Sequence, residues 1–279
     1  MIDTVAVALQ GLRSEAPEGL FTSVMIETGL EDGYASVRTP IGDAWIAFNG
    51  RGISALVPVD TIDENDLGEV TGRPVHTRPM PASLADRVEE ALRSGRSQRV
   101  PFDLRSVSDF ARAVLSKAAE IPPGQVRPYG WVAREIGHPA AVRAVGTALA
   151  RNPVPILIPC HRVVRSDNTV GQYAFGPARK VRLLEAEGLD VIGIMGRQHA
   201  RFVGSRTTHI FCHPSCSRAR RIRPQYRHEF DSEAQAFEAG YRPCRICRPI
   251  GETRSMAAAN ALCGDSSGPE WVRFPVIGR

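Results

Sequence analysis

Residues 150–164 read ARNPVPILIPCHRVV. Its prolines and stiff apolar run predict that Cys160 and His161 are delivered into a rigid, largely dry pocket. A lone cysteine is ordinarily an inert core residue. Here Pro159 blocks helix continuation, His161 is directly adjacent, and Arg143, Arg151, Arg162 and Arg165 surround the region. A free thiol titrates near about 8.5, and cationic or imidazole neighbours lower it. Cys160 is therefore a candidate nucleophile. Glu187 is a second anomaly, because an anion in the last turn of a helix opposes the macrodipole. His161 is the partner that would compensate it.

Working outward from that loop, four helices are expected after residue 105. Ser108 caps the first, and Phe110, Val114 and Ala118 share a face until IPPG stops it. The second runs from Tyr129 to Ile136. The third starts with Pro139 in its first turn, where a missing N–H costs nothing, and Val142, Val145 and Leu149 form its buried face. Its other face carries Arg143, Gly146, Thr147, Ala150 and Arg151. The fourth opens at Pro177 and ends before Gly188. A short helix, a break at Gly137-His138-Pro139 and a helix with a small, basic outer face make a helix-turn-helix pattern. An ordinary αα-hairpin gives the same spacing.

Toward the N-terminus, TPIGDAWIAFNGRGISALVPV (39–59) reads as paired strands with Asn49-Gly50 at a hairpin turn. Acidic residues 60–74 read as a loop, and Ser83–Leu92 as a helix closing a small α+β unit. Residues 1–33 read as a loosely held, flexible leader. The expected divisions are 1–33, 34–104, 105–193, 201–252 and a tail over 253–279.

The chain has 279 residues, 43% apolar and 23% charged, which is ample for a packed core and argues against wholesale disorder. No apolar run approaches a membrane span and the start lacks a signal-peptide pattern, so a cytoplasmic protein is expected. Six cysteines are too few for a disulfide scaffold and suit metal or chemistry instead. Charge is unevenly placed: net −6 over residues 1–100, +5 over 101–200 and +6 over 201–279. A basic latter part suits a polyanion.

The stretch from Phe110 to Gly188, with PCHRV and the preceding NPVPILI, resembles the catalytic domain of the O6-alkylguanine-DNA alkyltransferases. The hairpin around TPIGDAWIAFNGRGISAL is similar to the RNase H-like N-terminal domain of that family. The resemblance implies an α+β protein with a winged helix-turn-helix-like catalytic domain. It implies a single-turnover DNA repair activity, acting as a monomer from the minor groove of double-stranded DNA that carries O6-alkylguanine, with no organic cofactor. By that resemblance Cys160 accepts the alkyl group, His161 acts through a water as its base, and Glu187 orients and charge-balances His161. Asn152 braces the turn after the recognition helix. Tyr129 meets the phosphate beside the flipped nucleotide and assists protonation of the leaving guanine. Arg143 enters the stack in place of the extruded base, and Gly146, Thr147 and Arg151 share its DNA-facing surface. Where many members have Ser after the pocket Tyr, this chain has Tyr173-Ala174, so recognition of the guanine edge falls to backbone groups.

Cys212-x3-Cys216 and Cys244-x2-Cys247 are two close pairs separated by a loop and helix, the pattern of a four-thiolate zinc site. A redox role for Cys244–Cys247 is disfavoured by the second pair, and His209 and His213 are not expected as ligands. The segment holds few large apolar residues, so one zinc ion is expected to supply most of its stability. Arg218, Arg220, Arg221 and Arg223 are the densest cationic run of the chain. TTHIFCHPSC and AGYRPCRICRP resemble the Ada-type metal-binding domain. That likeness implies Cys212 as a second methyl acceptor, for phosphotriesters, with Thr208 at the phosphate. His209 replaces a usual glycine, and the module follows the catalytic domain instead of preceding it. A structural, DNA-docking zinc element is the alternative.

Two other function classes compete. A non-catalytic lesion-binding or regulatory protein would not need Cys160. A Cys-His-Glu hydrolase leaves the helix-turn-helix pattern and Arg143 without a purpose.

Overall fold

The computed structural model describes residues 17–166, 169–191 and 201–250. Helix α1 (Leu20–Thr28) ends on Gly29 at φ 76. Ile26 is buried, its carbonyl accepts from Gly50 N–H at 3.0 Å, and Arg105 Nη2 donates to Gly29 O at 2.6 Å. From residue 17 onward the expectation of a loose leader is thus corrected: one buried apolar side chain and two long-range hydrogen bonds within the chain hold this helix. Residues 1–16, and with them the rest of the leader, lie outside the described residues, as do Cys263 and the tail.

Strands β1 (Asp32–Thr39), β2 (Gly42–Asn49) and β3 (Gly52–Pro58) form an antiparallel meander. Asn49 pairs with Gly52, so the second turn is Gly50-Arg51, one residue beyond the expected Asn49-Gly50. The cause is a tether: Asn49 Nδ2 donates to Asp32 Oδ1 at 2.5 Å and to Asp103 Oδ2 at 2.9 Å. Gly50 is required next to it, because a Cβ there would lie 2.0 Å from Glu27 O. The expected loop over 60–74 contains a short helix, α2 (Leu67–Thr71), with Leu67 fully buried. Strand β4 (Val75–Thr77) then pairs parallel with β1, giving the order β3-β2-β1-β4. Helix α3 (Ala82–Ser94) packs Leu84, Val88 and Ala91 inward.

Helix α4 (Asp109–Ala119) is capped by Ser108, whose Oγ accepts from Ala111 N–H at 3.3 Å. Strand β5 (Arg127–Pro128) leads into α5 (Tyr129–Glu135). The next helix, α6, spans Val142–Ala150 and not from Pro139 as expected. Gly137 at φ 79 turns the chain, His138 stacks edge-on against Phe110 at 5.6 Å, and Ala141 N–H closes onto His138 O at 2.9 Å. Val142 is consequently 40% exposed at the helix start, and the buried face is Val145, Ala148 and Leu149. Strand β6 (Val163–Val164) pairs parallel with β5, Arg127 opposite Val163. Helix α7 (Pro177–Ala186) follows, with Glu187 at its C-cap. One core runs from Ile46 and Leu56 through Leu115 and Val132 to Cys160, so residues 34–104 and 105–193 share it.

The last unit is built from β7 (Phe202–Ser205), β8 (Ile210–Cys212), helix α8 (Ser217–Arg220), β9 (Arg227–Phe230), helix α9 (Glu233–Glu238) and β10 (Arg242–Pro243). It carries a further four-stranded sheet, in which β8 and β7 lie between β10 on one edge and β9 on the other. Phe211, Phe230 and Tyr241 are buried against one another. Gly204 makes room for them, since a Cβ there would meet the Tyr241 ring at 2.6 Å. This aromatic packing exceeds what the composition promises, so a metal is not the sole source of order here.

Candidate active site and metal centre

The loop 152–160 is held by one side chain. Asn152 Nδ2 donates to Ile158 O at 2.9 Å and lies 3.3 Å from Cys160 Sγ, while Asn152 Oδ1 accepts from Val154 N–H at 3.0 Å. Ile156 sits at φ 73, a conformation that costs a β-branched residue about 1–3 kcal/mol. The Asn152 bonds and the Pro155–Ile158 bridge hold it there. Cys160 and His161 then enter a short 3₁₀ turn, Cys160–Arg162, in which all three residues are buried.

Behind Cys160 lies a buried charge cluster. His161 Nε2 is 2.9 Å from Glu187 Oε1. Arg162 Nε donates to both carboxylate oxygens at 3.0 Å and Nη2 to Oε1 at 2.7 Å. Its other donors reach Ile121 O and Gly95 O, each at 2.6 Å, and Gly124 N–H donates to Glu187 Oε2 at 3.0 Å. Burial opposes the charge on Glu187, but the hydrogen bonds from His161 and Arg162 prevail and hold its carboxyl down to about 2. An ionised Glu187 can only accept, so His161 carries its proton on Nε2 and presents an unprotonated Nδ1. That Nδ1 is buried and meets no hydrogen-bond partner among the described residues. Burial also lowers the His161 pKa against the pull of Glu187, so the resting ring is neutral.

The expected lowering of the Cys160 thiol by a ring of arginines is corrected. Burial pushes this thiol up, with the Asn152 amide and Lys180 offsetting part of the rise. Arg162 is spent on Glu187, while Arg143, Arg151 and Arg165 are exposed. The cation that does face the thiol is Lys180. It is 1% exposed, donates to Val163 O at 2.6 Å, and lies 5.9 Å over the Tyr129 ring. Burial brings its pKa down to about 8, against the attraction of Cys160. The missed signal was its place in the stripe Lys180, Leu183, Leu184, Glu187, a lysine on the apolar face of α7. Gly124 was also missed. At φ 65 it brings its N–H onto Glu187, and a Cβ there would lie 2.8 Å from Glu187 O.

Tyr129 and Tyr173 neighbour Cys160. Burial raises both phenols, and the neighbouring Cys160 raises them further. The Tyr173 hydroxyl is buried beside the Cys160 thiol; Ala174 next to it is exposed. Gly146 on α6 approaches Tyr129, since a Cβ there would sit 3.9 Å from its ring. Arg143 and Thr147 on the same helix, and Arg151 at its C-cap, are exposed.

The four cysteines Cys212, Cys216, Cys244 and Cys247 are brought together, all buried, with sulfurs within 4.8 Å of one another. Tetrahedral zinc with Zn–S bonds of about 2.3 Å places sulfurs about 3.8 Å apart, a spacing compatible with four sulfurs that all lie within 4.8 Å of one another. Their mutual hydrogen bonds push Cys212 up and Cys244 down: four thiols this close ionise together only around a cation. His209 and His213 are not in the cluster. His209 stands at φ 50, the conformation that favours the glycine it replaces. A groove of about 730 Å³ opens beside Cys212, lined by Thr207, Thr208, Arg218, Arg221 and Arg223. Arg220 does not line it; its guanidinium lies near Gly124 instead.

Residues 109–189 match the family described as "6-O-methylguanine DNA methyltransferase, DNA binding domain", and residues 197–249 match the "Metal binding domain of Ada". The chain is 36% identical over 157 residues to a "Methylated-DNA–protein-cysteine methyltransferase" of Methanosarcina barkeri, an alignment covering 55% of this chain and 96% of that protein. It is also 36% identical over 161 residues to the "Bifunctional transcriptional activator/DNA repair enzyme Ada" of Escherichia coli, covering 55% of this chain and 45% of Ada. Among solved structures, Mycobacterium tuberculosis OGT in complex with DNA is similar at 31% identity and a TM-score of 0.47, over 58% of this chain and 98% of that one.

Proposed function

The chain belongs to the methylated-DNA–protein-cysteine methyltransferase family, and on that footing we propose that Cys160 Sγ is the atom to which the alkyl group of O6-alkylguanine moves. It is a DNA repair methyltransferase that consumes its own cysteine. The observation that carries the assignment is the alignment of a buried thiol, a braced Asn152 amide at 3.3 Å, and a His161 fixed by Glu187 at 2.9 Å as the Nε2–H tautomer.

A guanine inside a duplex cannot be reached, so it is flipped into the pocket, at a cost of a few kcal/mol. Arg143 on the exposed face of α6 fills the gap in the stack. Gly146 and Thr147 admit the backbone, Arg151 holds a phosphate, and Tyr129 meets the phosphate beside the flipped nucleotide. His161 Nδ1, through one water, takes the thiol proton. Sγ then attacks the alkyl carbon in line, the C–O6 bond breaks as the C–S bond forms, and the proton lost by the thiol ends on the guanine. Lys180 stabilises the thiolate before attack. Tyr129 hydrogen-bonds the leaving base, and the backbone around Tyr173-Ala174 reads its edge. The thioether is stable, so each chain reacts once. We read the first sheet as RNase H-like, α5–α6 as the helix-turn-helix of a winged domain, and the protein as a monomer on the minor-groove side of DNA.

The four cysteines suit one zinc ion, whose chemistry is to hold the sulfurs as thiolates at neutral pH. Cys212, at the groove with Arg218, Arg221 and Arg223, would take methyl from a phosphotriester. A net −2 cluster repels an ordinary phosphate and tolerates the neutral triester, while the arginines hold the flanking phosphates. Neither a non-catalytic nor a hydrolytic reading accounts for the reactive cysteine together with the basic outer face of α6.

The test is uptake of label from duplex DNA carrying O6-[³H-methyl]guanine. One acid-stable equivalent per chain is expected, and label that stays on the DNA would overturn the assignment.

A further inference from the structure

Both cysteine knuckles of the metal module are bonded to one short segment of the methyltransferase unit. In the first knuckle, Ser215 Oγ accepts from Val126 N–H at 3.0 Å and donates to Val126 O at 3.0 Å. In the second, Arg248 follows Cys247 directly, and its carbonyl accepts from Trp131 Nε1 at 3.0 Å. Pro249 O accepts from Arg134 Nη2 at 3.1 Å, and Arg248 Nη2 pairs with Glu135 Oε2 at 2.7 Å. Arg248 N–H returns to Cys244 O at 2.9 Å, so the carbonyl that Trp131 uses is aimed by the knuckle itself.

The segment's other contacts lead to Cys160. Arg127 is paired with Val163, three residues past the nucleophile. Gly124 N–H holds Glu187, the carboxylate behind His161. Tyr129 heads α5 at the pocket. Between the two sets, the Arg127 guanidinium is buried over the Trp131 ring at 5.7 Å. Burial lowers its pKa and the four cysteines pull it back up, so it stands within their field.

We propose that the metal module is a working part of the Cys160 site: the loaded cysteine cluster clamps Val126–Glu135, and its loading state is transmitted through that segment to Tyr129, Glu187 and Cys160. The inference rests on the reading that zinc fills the cluster and that Cys160 is the acceptor. Its physical basis is that knuckle geometry is coupled to the metal, while a buried amide that loses its partner carries a desolvation penalty. The buried Val126 N–H is committed to Ser215 Oγ, while the Val126 carbonyl is shared between Ser215 Oγ and Arg127 Nη1 at 2.8 Å. Linkage makes the coupling reciprocal: weakening the clamp from either side weakens metal binding by the same factor.

The experiment uses the full chain. Zinc content is measured first, then zinc is stripped with a chelator and restored. Backbone hydrogen exchange is followed over residues 124–135, with residues 142–150 as the internal reference, alongside the rate of iodoacetamide alkylation of Cys160. Stripping is expected to accelerate exchange at 124–135 while 142–150 is spared, to change the Cys160 rate, and to be reversed by zinc. Ser215→Ala, loaded to one zinc at saturation, is expected to bind zinc about fivefold or more weakly in competition with a chromophoric chelator. A chain that holds zinc, loses it, and keeps unchanged exchange at 124–135 overturns the clamp alone. A chain that never holds zinc overturns the metal reading and the clamp together.

Discussion

His161 Nε2 and Glu187 Oε1 lie 2.9 Å apart, at the end of a helix whose dipole disfavours the carboxylate. The pairing decides which imidazole nitrogen carries the proton and which is left free to accept one. Arg162, buried and sharing Glu187, supplies the countercharge that lets the carboxylate remain ionised out of water.

Glu187→Gln is expected to destabilise the fold by about 3 kcal/mol at pH 7, because it strands the buried Arg162 cation, and to slow transfer. The sign of the pH effect is fixed by the depressed carboxyl. Its folded pKa of about 2 lies below the ordinary glutamate value of 4.5, so its stabilisation is complete above pH 4.5 and fades as pH falls through 2. Urea melts across that window should show the slope in the parent and not in the variant. Parallel melts would make Glu187 a spectator.

Lys180→Met is expected to move the pH profile of Cys160 alkylation by iodoacetamide to higher pH and to slow it at pH 7. Lys180 loses its proton near pH 8, so below that it is a cation that stabilises the thiolate. A superimposable profile would remove Lys180 from the electrostatics of the thiol.

Much of this site was legible in the chain. PCHRVV and the anomalous Glu187 pointed to the buried Cys160 turn and to the His161–Glu187 pair that the fold brings together, because prolines and a misplaced anion leave local marks. The four-cysteine cluster was legible because two close cysteine pairs are a local mark as well. The thiol environment was not: which arginines face Cys160 depends on tertiary direction, and Arg162 turns to Glu187, whereas Lys180 turns inward from a helix seventeen residues later. The late start of α6 and the buried Leu67 of the expected loop likewise follow from contacts with distant elements, which propensity does not encode.

Arg143→Ala is expected to slow repair of duplex DNA by about tenfold or more, on the order of 1.4 kcal/mol, while leaving reaction with free O6-alkylguanine base nearly unchanged. Only the duplex needs a residue in the vacated stack. Equal losses on both substrates would count against that role.

In a Cys160→Ala background, DNA carrying methylphosphotriesters should still place one methyl on Cys212, which lies at the arginine-lined groove. Peptide mass spectrometry over residues 207–249 reads the result. A zinc-loaded module that stays unmethylated would be a docking element only.

The most direct measurement is peptide mapping after incubation with a duplex containing a single O6-methylguanine. The predicted result is a gain of one methyl on the peptide containing Cys160, stoichiometric with lost lesion, and no lesion lost with Cys160→Ala although DNA binding persists. Guanine restored by Cys160→Ala, or a methyl found on another residue, would contradict the assignment of Cys160 as the acceptor.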